Sequence, residues 1–348
     1  MTFEHVRLEA FGYVLPEQVV TSLEIEQQLA PLYERFGLHQ GRLELMSGIR
    51  QRRFWRPGAV PSDVSAEAGR RALQASGTPA EQTECLLHTS VSRDCLEPAT
   101  ASFVHEKLGL MPHVAMFDIS NACLGFLNGM LVLANMIELG QVNRGLIVAG
   151  ESSRQLVETT IRQLLADDTL TKKDFKKAFA SLTIGSAAVA LVMAHASVSQ
   201  TGHRLLGGAV RACSDDNHLC RGTVDTGFSR DATMAMNTDS ETLLVAGCRL
   251  AAETWTLTKE ELGWTNDSVD RCFTHQVGVA HRDRLYELLD LDPSLDFPTL
   301  EFLGNVGSAS LPITMAIGID KNRTSPGERM AMLGIGSGLN CIMLGVQW

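Results

Sequence analysis

Three residues with chemistry to offer, Cys123, His275 and Asn305, sit where apolar runs meet small, polar or glycine-rich turns. In FDISNACLGFLNGMLVLANMIELG, the stretch VAMFDIS reads as a buried strand and the segment after Cys123 as a buried helix, so the thiol falls at a helix N-terminus. Unpaired backbone N–H groups and the positive end of the helix dipole favour thiolate over thiol there, which activates sulfur as a nucleophile. THQVGVAH puts His275 where a strand passes into a loop, and FLGNVGSASLP puts Asn305 in a Gly/Ser turn ahead of a helix. Strand ends and glycine-rich turns are where α/β proteins present reacting groups. Singly, each residue has a plainer reading: a small buried hydrophobe, a hydrogen-bonded core histidine, a turn asparagine. Their occurrence together, in this order, argues for a shared site.

The elements that must position them alternate along the chain. Strand-like runs occur at ECLLHTSVS, HVAMFDIS, RGLIVAGES, SAAVALVMA, DRCFTHQVG, RMAMLGIGS and NCIMLGVQW, with helical patterns such as SAEAGRRALQASG, TASFVHEKLG and AHRDRLYELLD between them. That alternation predicts an α/β fold. Each half runs through strand, glycine-bounded turn, helix and strand, and SAAVALVMAHA and NCIMLGVQW look like corresponding last strands. The chain therefore divides into residues 1–200, holding Cys123, and 201–348, holding His275 and Asn305. A polar, Lys-rich interval at about 154–180 fits the alternation poorly and reads as a surface helical insertion, either a solvated face or a cover over a substrate tunnel.

With 348 residues the chain has length for a sizeable core, and a net charge of -10 argues against nucleic acid as the main partner. The N-terminus lacks a basic region followed by an apolar one, and no apolar run approaches a membrane span, so a soluble, cytoplasmic protein is expected. The 8 cysteines are scattered without a CxxC pair, so reduced thiols are the default. His218 and Cys220 lie near Cys213, but no second cluster completes a zinc-like spacing, and no metal is expected.

The motifs SGIRQRRFW, TSVSRDCLEPATAS, NACLGF, HQV, GNVGSASLP and GIGSGLNC run almost end to end. Together they resemble the β-ketoacyl synthase III branch of the thiolase superfamily, with Cys123, His275 and Asn305 on that branch's Cys-His-Asn triad. Within the branch, SVSRDCLEPATAS and LGIGSGLNC resemble the OleA group of olefin biosynthesis, whose members join two fatty acyl-CoA molecules head to head. The resemblance implies a five-layered αβαβα fold of two similar halves, a homodimer, and a cysteine acylated by one thioester while His275 and Asn305 stabilise charge on the second substrate. Coenzyme A thioesters enter as substrates, and no permanently bound cofactor is implied.

The chemistry accounts for these residue types. A thiolate attacks a thioester and holds the acyl group. Its oxyanion requires fixed donors, for which the amides of Cys123 and Ser337 are the candidates, since small residues around Ser337 permit close backbone approach. His275 and Asn305 then donate to the second thioester carbonyl, favouring an enolate. Condensation without decarboxylation requires a general base, and Glu97 in CLEPATAS is the candidate. The OleA resemblance places it in the partner subunit's site, whereas its plainer reading is an acid favoured at a helix N-terminus before Pro98. Arg50, Arg52 and Trp55 are weak candidates for contacts to CoA phosphates and adenine. Val277 and Gly278 follow Gln276 where ordinary synthases of the family commonly carry Ala-Asn and a basic residue, which weakens the case for an acyl carrier protein.

The expected function is a non-decarboxylative Claisen condensation of two fatty acyl-CoAs to a 2-alkyl-3-ketoacid. Its alternatives are a decarboxylative β-ketoacyl synthase III and a cysteine-dependent acyl thioesterase. The product's reactivity leaves room for a downstream pathway enzyme as partner. Chain length is not legible: residues suited to an acyl tunnel, such as Leu124, Phe126 and Met130, read equally as core.

Overall fold

Apolar runs too continuous for half-exposed strands build the centre of the computed structural model, which describes residues 1–222 and 236–348. In the first half the strands are β1 (Val6–Val14), β2 (Cys85–His88), β3 (Ala115–Asp118), β4 (Arg144–Glu151) and β5 (Ala187–His195). They lie in the order β3-β2-β4-β5-β1, with β2 parallel to β3 and β4, and β5 antiparallel to β4 and β1. The second half supplies β6 (Arg204–Ala212), β7 (Arg271–Thr274), β8 (Arg329–Gly336) and β9 (Asn340–Gln347). Their order, β7-β8-β9-β6, repeats the same pattern: β7 parallel to β8, then two antiparallel pairings. A parallel bridge between Cys272 and Asp296 stands where β3 stands in the first half. Duplication thus lies in the pairing directions, where the amino-acid identities had left only a pattern. The halves meet at β1 and β6 through the pair Arg7 and Arg204.

Helices divide the molecule into five layers. α1 (Pro61–Ser76) and α2 (Thr100–Leu108) cover the outer face of the first half, α1 packing on β1, β4 and β5. Between the half-sheets run α3 (Gly125–Glu138) and a helix of Ser310–Asp320, both apolar nearly all round, as a helix enclosed on every side must be. Each follows a single 3-10 turn, Ala122–Leu124 in one half and Gly307–Ala309 in the other. The outer layer of the second half is a helix of Ser240–Leu262 on β6 and β9 beside one of Val279–Leu289. The αβαβα order is the thiolase fold expected from the sequence.

Residues 154–180 form α4 (Arg154–Ala166) and a short helix, Lys172–Ala178. Val157, Ile161 and Phe175 are buried against Ile25, Leu29 and Tyr33 of the N-terminal helices. This segment therefore owns a satellite core, while Lys172, Lys173 and Lys176 face solvent. Among the described residues no helix is long and apolar enough to cross a membrane. Leu124, Phe126 and Met130 all lie in the main buried cluster.

Candidate active site

The chain reaches Cys123 through Ala122, whose φ of 45° lies in the left-handed region that non-glycine residues seldom adopt. A turn held this way delivers the cysteine into the 3-10 turn that starts α3. Two glycines let other backbone crowd the elbow: a Cβ on Gly125 would lie 2.3 Å from the Thr89 carbonyl oxygen, and one on Gly336 would lie 2.8 Å from Leu124 Cγ. Close approach of β8 brings Ser337 to the thiol. The backbone N–H groups of Cys123 and Ser337 both act on the sulfur to favour its anion.

Burial outweighs them. It pushes the Cys123 thiol up to about 12, with the neighbouring Cys220 thiol and Glu151 carboxylate adding to the rise. This corrects the expectation of a thiolate activated in the resting protein. The helix start and its donors are present, but removing sulfur from water opposes the charge more strongly than they favour it.

His275 directly follows β7, and its backbone N–H donates to Leu333 O at 3.1 Å, fixing it against β8. Its ring is buried, and among the described residues Nδ1 has no hydrogen-bond partner. Burial, with His281 nearby, pushes its pKa down to about 3, so the imidazole is neutral and offers one N–H and one lone pair. Gln276 beside it has a positioning part: Oε1 accepts from the N–H groups of Thr299 and Leu300, both at 2.8 Å.

Asn305 occupies the turn before Ser310–Asp320. Its N–H donates to Thr183 O at 3.1 Å and its carbonyl accepts from Gly185 N at 2.8 Å. Its side-chain Oδ1 accepts from Gly307 N at 3.0 Å and Ser310 Oγ at 3.4 Å. With oxygen so engaged, Nδ2 is left as the group able to donate to a ligand.

Glu97 lies on the loop between β2 and α2, exposed, and among the described residues its carboxylate accepts no hydrogen bond. The reading as a helix N-terminal acid does not hold. Asp118 takes that place, accepting from Thr100 N at 2.9 Å and Ala101 N at 2.8 Å. Val91 and Leu96 are exposed on this loop, with exposed Arg93 between them, and Met116 and Phe117 are exposed on edge strand β3.

Two of the CoA candidates are corrected by their burial. Arg52 is fully buried, its guanidinium donating to Ser22 Oγ at 3.1 Å and Val20 O at 3.5 Å. Trp55 is buried, its indole N–H donating to Glu151 O at 2.8 Å. Neither faces a phosphate or an adenine arriving from solvent. Arg52 points inward with Phe54 on the strand Gln51–Phe54, and Trp55 is buried just past its end; the charge count alone concealed this. Arg50 is exposed and pairs with Glu301 at 3.4 Å.

Sequence reasoning overlooked Glu151, a buried carboxylate at the end of RGLIVAGE. An acid closing an otherwise apolar strand was the available signal. Among the described residues, no group of three or more His, Cys, Asp or Glu side chains is arranged to hold a metal.

Known proteins resemble this chain along its length. Residues 117–212 match the family model of 3-oxoacyl-[acyl-carrier-protein] synthase III, and residues 259–348 match that of its C-terminal part. An acyl-CoA:acyl-CoA alkyltransferase of Shewanella oneidensis is 39% identical, with 100% of each chain covered. A β-ketoacyl-[acyl-carrier-protein] synthase III of Geobacillus kaustophilus is 25% identical, with 97% of each covered. Among solved structures, Xanthomonas campestris OleA with bound lauric acid and lauroyl-CoA superposes with a TM-score of 0.94 at 36% identity, covering 99% of this chain and 100% of that one.

Proposed function

We propose, from the premise that this chain belongs to the 3-oxoacyl-[acyl-carrier-protein] synthase III family and shares its full length with the acyl-CoA:acyl-CoA alkyltransferases, that it joins two fatty acyl-CoA molecules head to head. The observation that carries this reading is full-length identity of 39% and 36% to two acyl-CoA:acyl-CoA alkyltransferases, and because a solved structure described as a 3-oxoacyl-(acyl carrier protein) synthase III of Xanthomonas oryzae is 37% identical, the assay below decides between the two reactions.

In the first half-reaction Cys123 sulfur attacks the carbonyl of one acyl-CoA. The S–C bond to CoA breaks, the thiol proton ends on the CoA thiol, and the acyl group stays on Cys123. The amides of Cys123 and Ser337, which already favour negative charge on the sulfur, stabilise the transient oxyanion. A thiol held up near 12 reacts through a small thiolate fraction, so these donors matter more, not less.

In the second half-reaction neutral His275 and the Nδ2 of Asn305 donate to the carbonyl of the second acyl-CoA. Glu97 of a second protomer removes its α-proton, and the carbanion attacks the acyl-Cys123 carbonyl, forming the C–C bond and expelling the thiolate. Water then releases the second CoA and leaves a 2-alkyl-3-ketoacid. Exposure of Glu97, with Val91 and Leu96 on its loop and Met116 and Phe117 on edge strand β3, supports a shared site, since a second copy laid on that edge covers these side chains and desolvates the carboxylate.

Incubation with a single long-chain acyl-CoA and no malonyl donor tests the function. A doubled-chain β-ketoacid, or the ketone from its decarboxylation, is the expected product. Product only when malonyl thioester is added points to the decarboxylative synthase, and free fatty acid alone points to a thioesterase.

A further inference from the structure

Glu151 closes β4 with 5% of its surface exposed, and its charge has no lysine or arginine partner among the described ion pairs. It is compensated by dipoles instead. Oε1 accepts from Val91 N at 2.9 Å and from Ser308 N at 3.1 Å, while Oε2 accepts from Ser92 N at 3.1 Å and Ser92 Oγ at 2.9 Å. Val91 and Ser92 belong to the loop that carries Glu97. Ser308 belongs to the turn that carries Asn305, and Gly307 in that turn approaches so closely that a Cβ there would lie 3.0 Å from Oε1.

The same junction reaches the nucleophile. Ser308 Oγ donates to Thr89 O at 2.7 Å, and that carbonyl is the one against which Gly125, two residues past Cys123, is packed. One carboxylate thus takes donors from two loops bearing reacting groups and stands next to the third. The chemistry requires a carboxylate: each oxygen accepts two donors, whereas an amide keeps one such oxygen and turns N–H toward the Ser92 N–H.

We infer that Glu151 is a positioning residue of the condensation step, holding the turn of Asn305 in place beside its own Cys123 and the loop of Glu97 in place for the site of a second protomer. This rests on the function proposed above. Glu151 touches no substrate in this role. It acts through Ser308 and through Val91 and Ser92, and its negative charge also opposes ionisation of Cys123.

The test is Glu151→Gln, read three ways against the wild type. Acylation of Cys123 by a single acyl-CoA is followed by mass spectrometry, condensation by steady-state kinetics, and the thiol by its alkylation rate as a function of pH. Expected are acylation near the wild-type level, a condensation kcat lower by roughly 10- to 100-fold from misplacement of Asn305 and Glu97, and little change in KM. The alkylation profile moves to lower pH, because a negative charge near the thiol is gone. A purely structural carboxylate moves acylation and condensation together, and that result overturns the inference. If Glu151→Gln yields no folded protein, Ser92→Ala, which deletes one donor to Oε2, takes its place. It is expected to lower condensation more than acylation, and equal loss of both overturns the inference. A wild-type protein that forms no doubled-chain product overturns instead the function on which the inference rests.

Discussion

At the scale of single residues, the protein combines a nucleophile and a histidine whose charged forms are both disfavoured. Burial holds the Cys123 thiol near 12 and the His275 imidazolium near 3, so both groups are neutral between those limits. Two consequences are measurable. The Cys123 alkylation rate should climb about tenfold per pH unit through the neutral and mildly alkaline range without a plateau, following the thiolate fraction. A plateau near pH 7 sinks the assignment of a desolvated thiol. Condensation should show no histidine limb near 6.5, because the folded pKa is lowered and protonation of His275 sets in only as pH falls toward about 3. Asn305 separates the two half-reactions. With Oδ1 held by Gly307 N, replacing the side chain in Asn305→Ala removes the Nδ2 donor to the second substrate. Acyl-Cys123 should still form, seen by mass spectrometry, while doubled-chain product falls roughly 100-fold or more. Unchanged acyl turnover to fatty acid with no condensation in the wild type is the thioesterase outcome.

The elements explain where these residues are placed. α3 and the Ser310–Asp320 helix each follow a 3-10 turn and lie between the half-sheets, so their N-termini, one beside Cys123 and one beyond Asn305, belong to equivalent places in a duplicated fold. The elbow tolerates no added atom on the side facing Thr89. Gly125→Ala puts a methyl 2.3 Å from the Thr89 carbonyl oxygen, backbone that cannot swing aside as a side chain does. Denaturant unfolding should show a loss of about 1–3 kcal/mol, with acylation of Cys123 impaired because α3 must shift. Stability and acylation equal to wild type contradict the packing described here. β7 and β8 do the corresponding work for His275, through the hydrogen bond to Leu333 O, and Gln276 ties that strand end to Thr299 and Leu300.

At the scale of the whole molecule, one chain carries Cys123, His275 and Asn305 but leaves Glu97 exposed on a loop, while β3 is an outer strand of the sheet among the described residues. An exposed edge is a template for pairing, and the short edge strand β3, Ala115–Asp118, follows the loop that carries the general base proposed for the reaction and the helix after it. If the site is shared, protomers carrying Cys123→Ala mixed and reassembled with protomers carrying Glu97→Ala should regain activity. Half of randomly paired dimers are mixed and each holds one complete site, which gives about a quarter of the wild-type rate. No recovery places Glu97 outside the partner's site. Disrupting the edge with Phe117→Lys should lower condensation in parallel with loss of the dimer in sedimentation.

Much of the site was legible because its residues lie at changes of pattern. Cys123 marks a strand-to-helix joint, His275 a strand end and Asn305 a glycine turn, and the motifs around them carry the family. Local sequence also gives the two halves, since strand and helix periodicity are properties of a few adjacent residues. What it leaves undetermined depends on groups distant along the chain. Arg52 and Trp55 read as surface charge and stacking until burial turned them inward, and the thiol read as ionised until its desolvation was counted. Glu151 went unnoticed because its partners, Val91, Ser92 and Ser308, are 59 to 157 positions away. The sequence determines which chemical groups exist and which elements carry them. Only the tertiary structure decides the water they lose and the dipoles they face, and those two quantities set their charge.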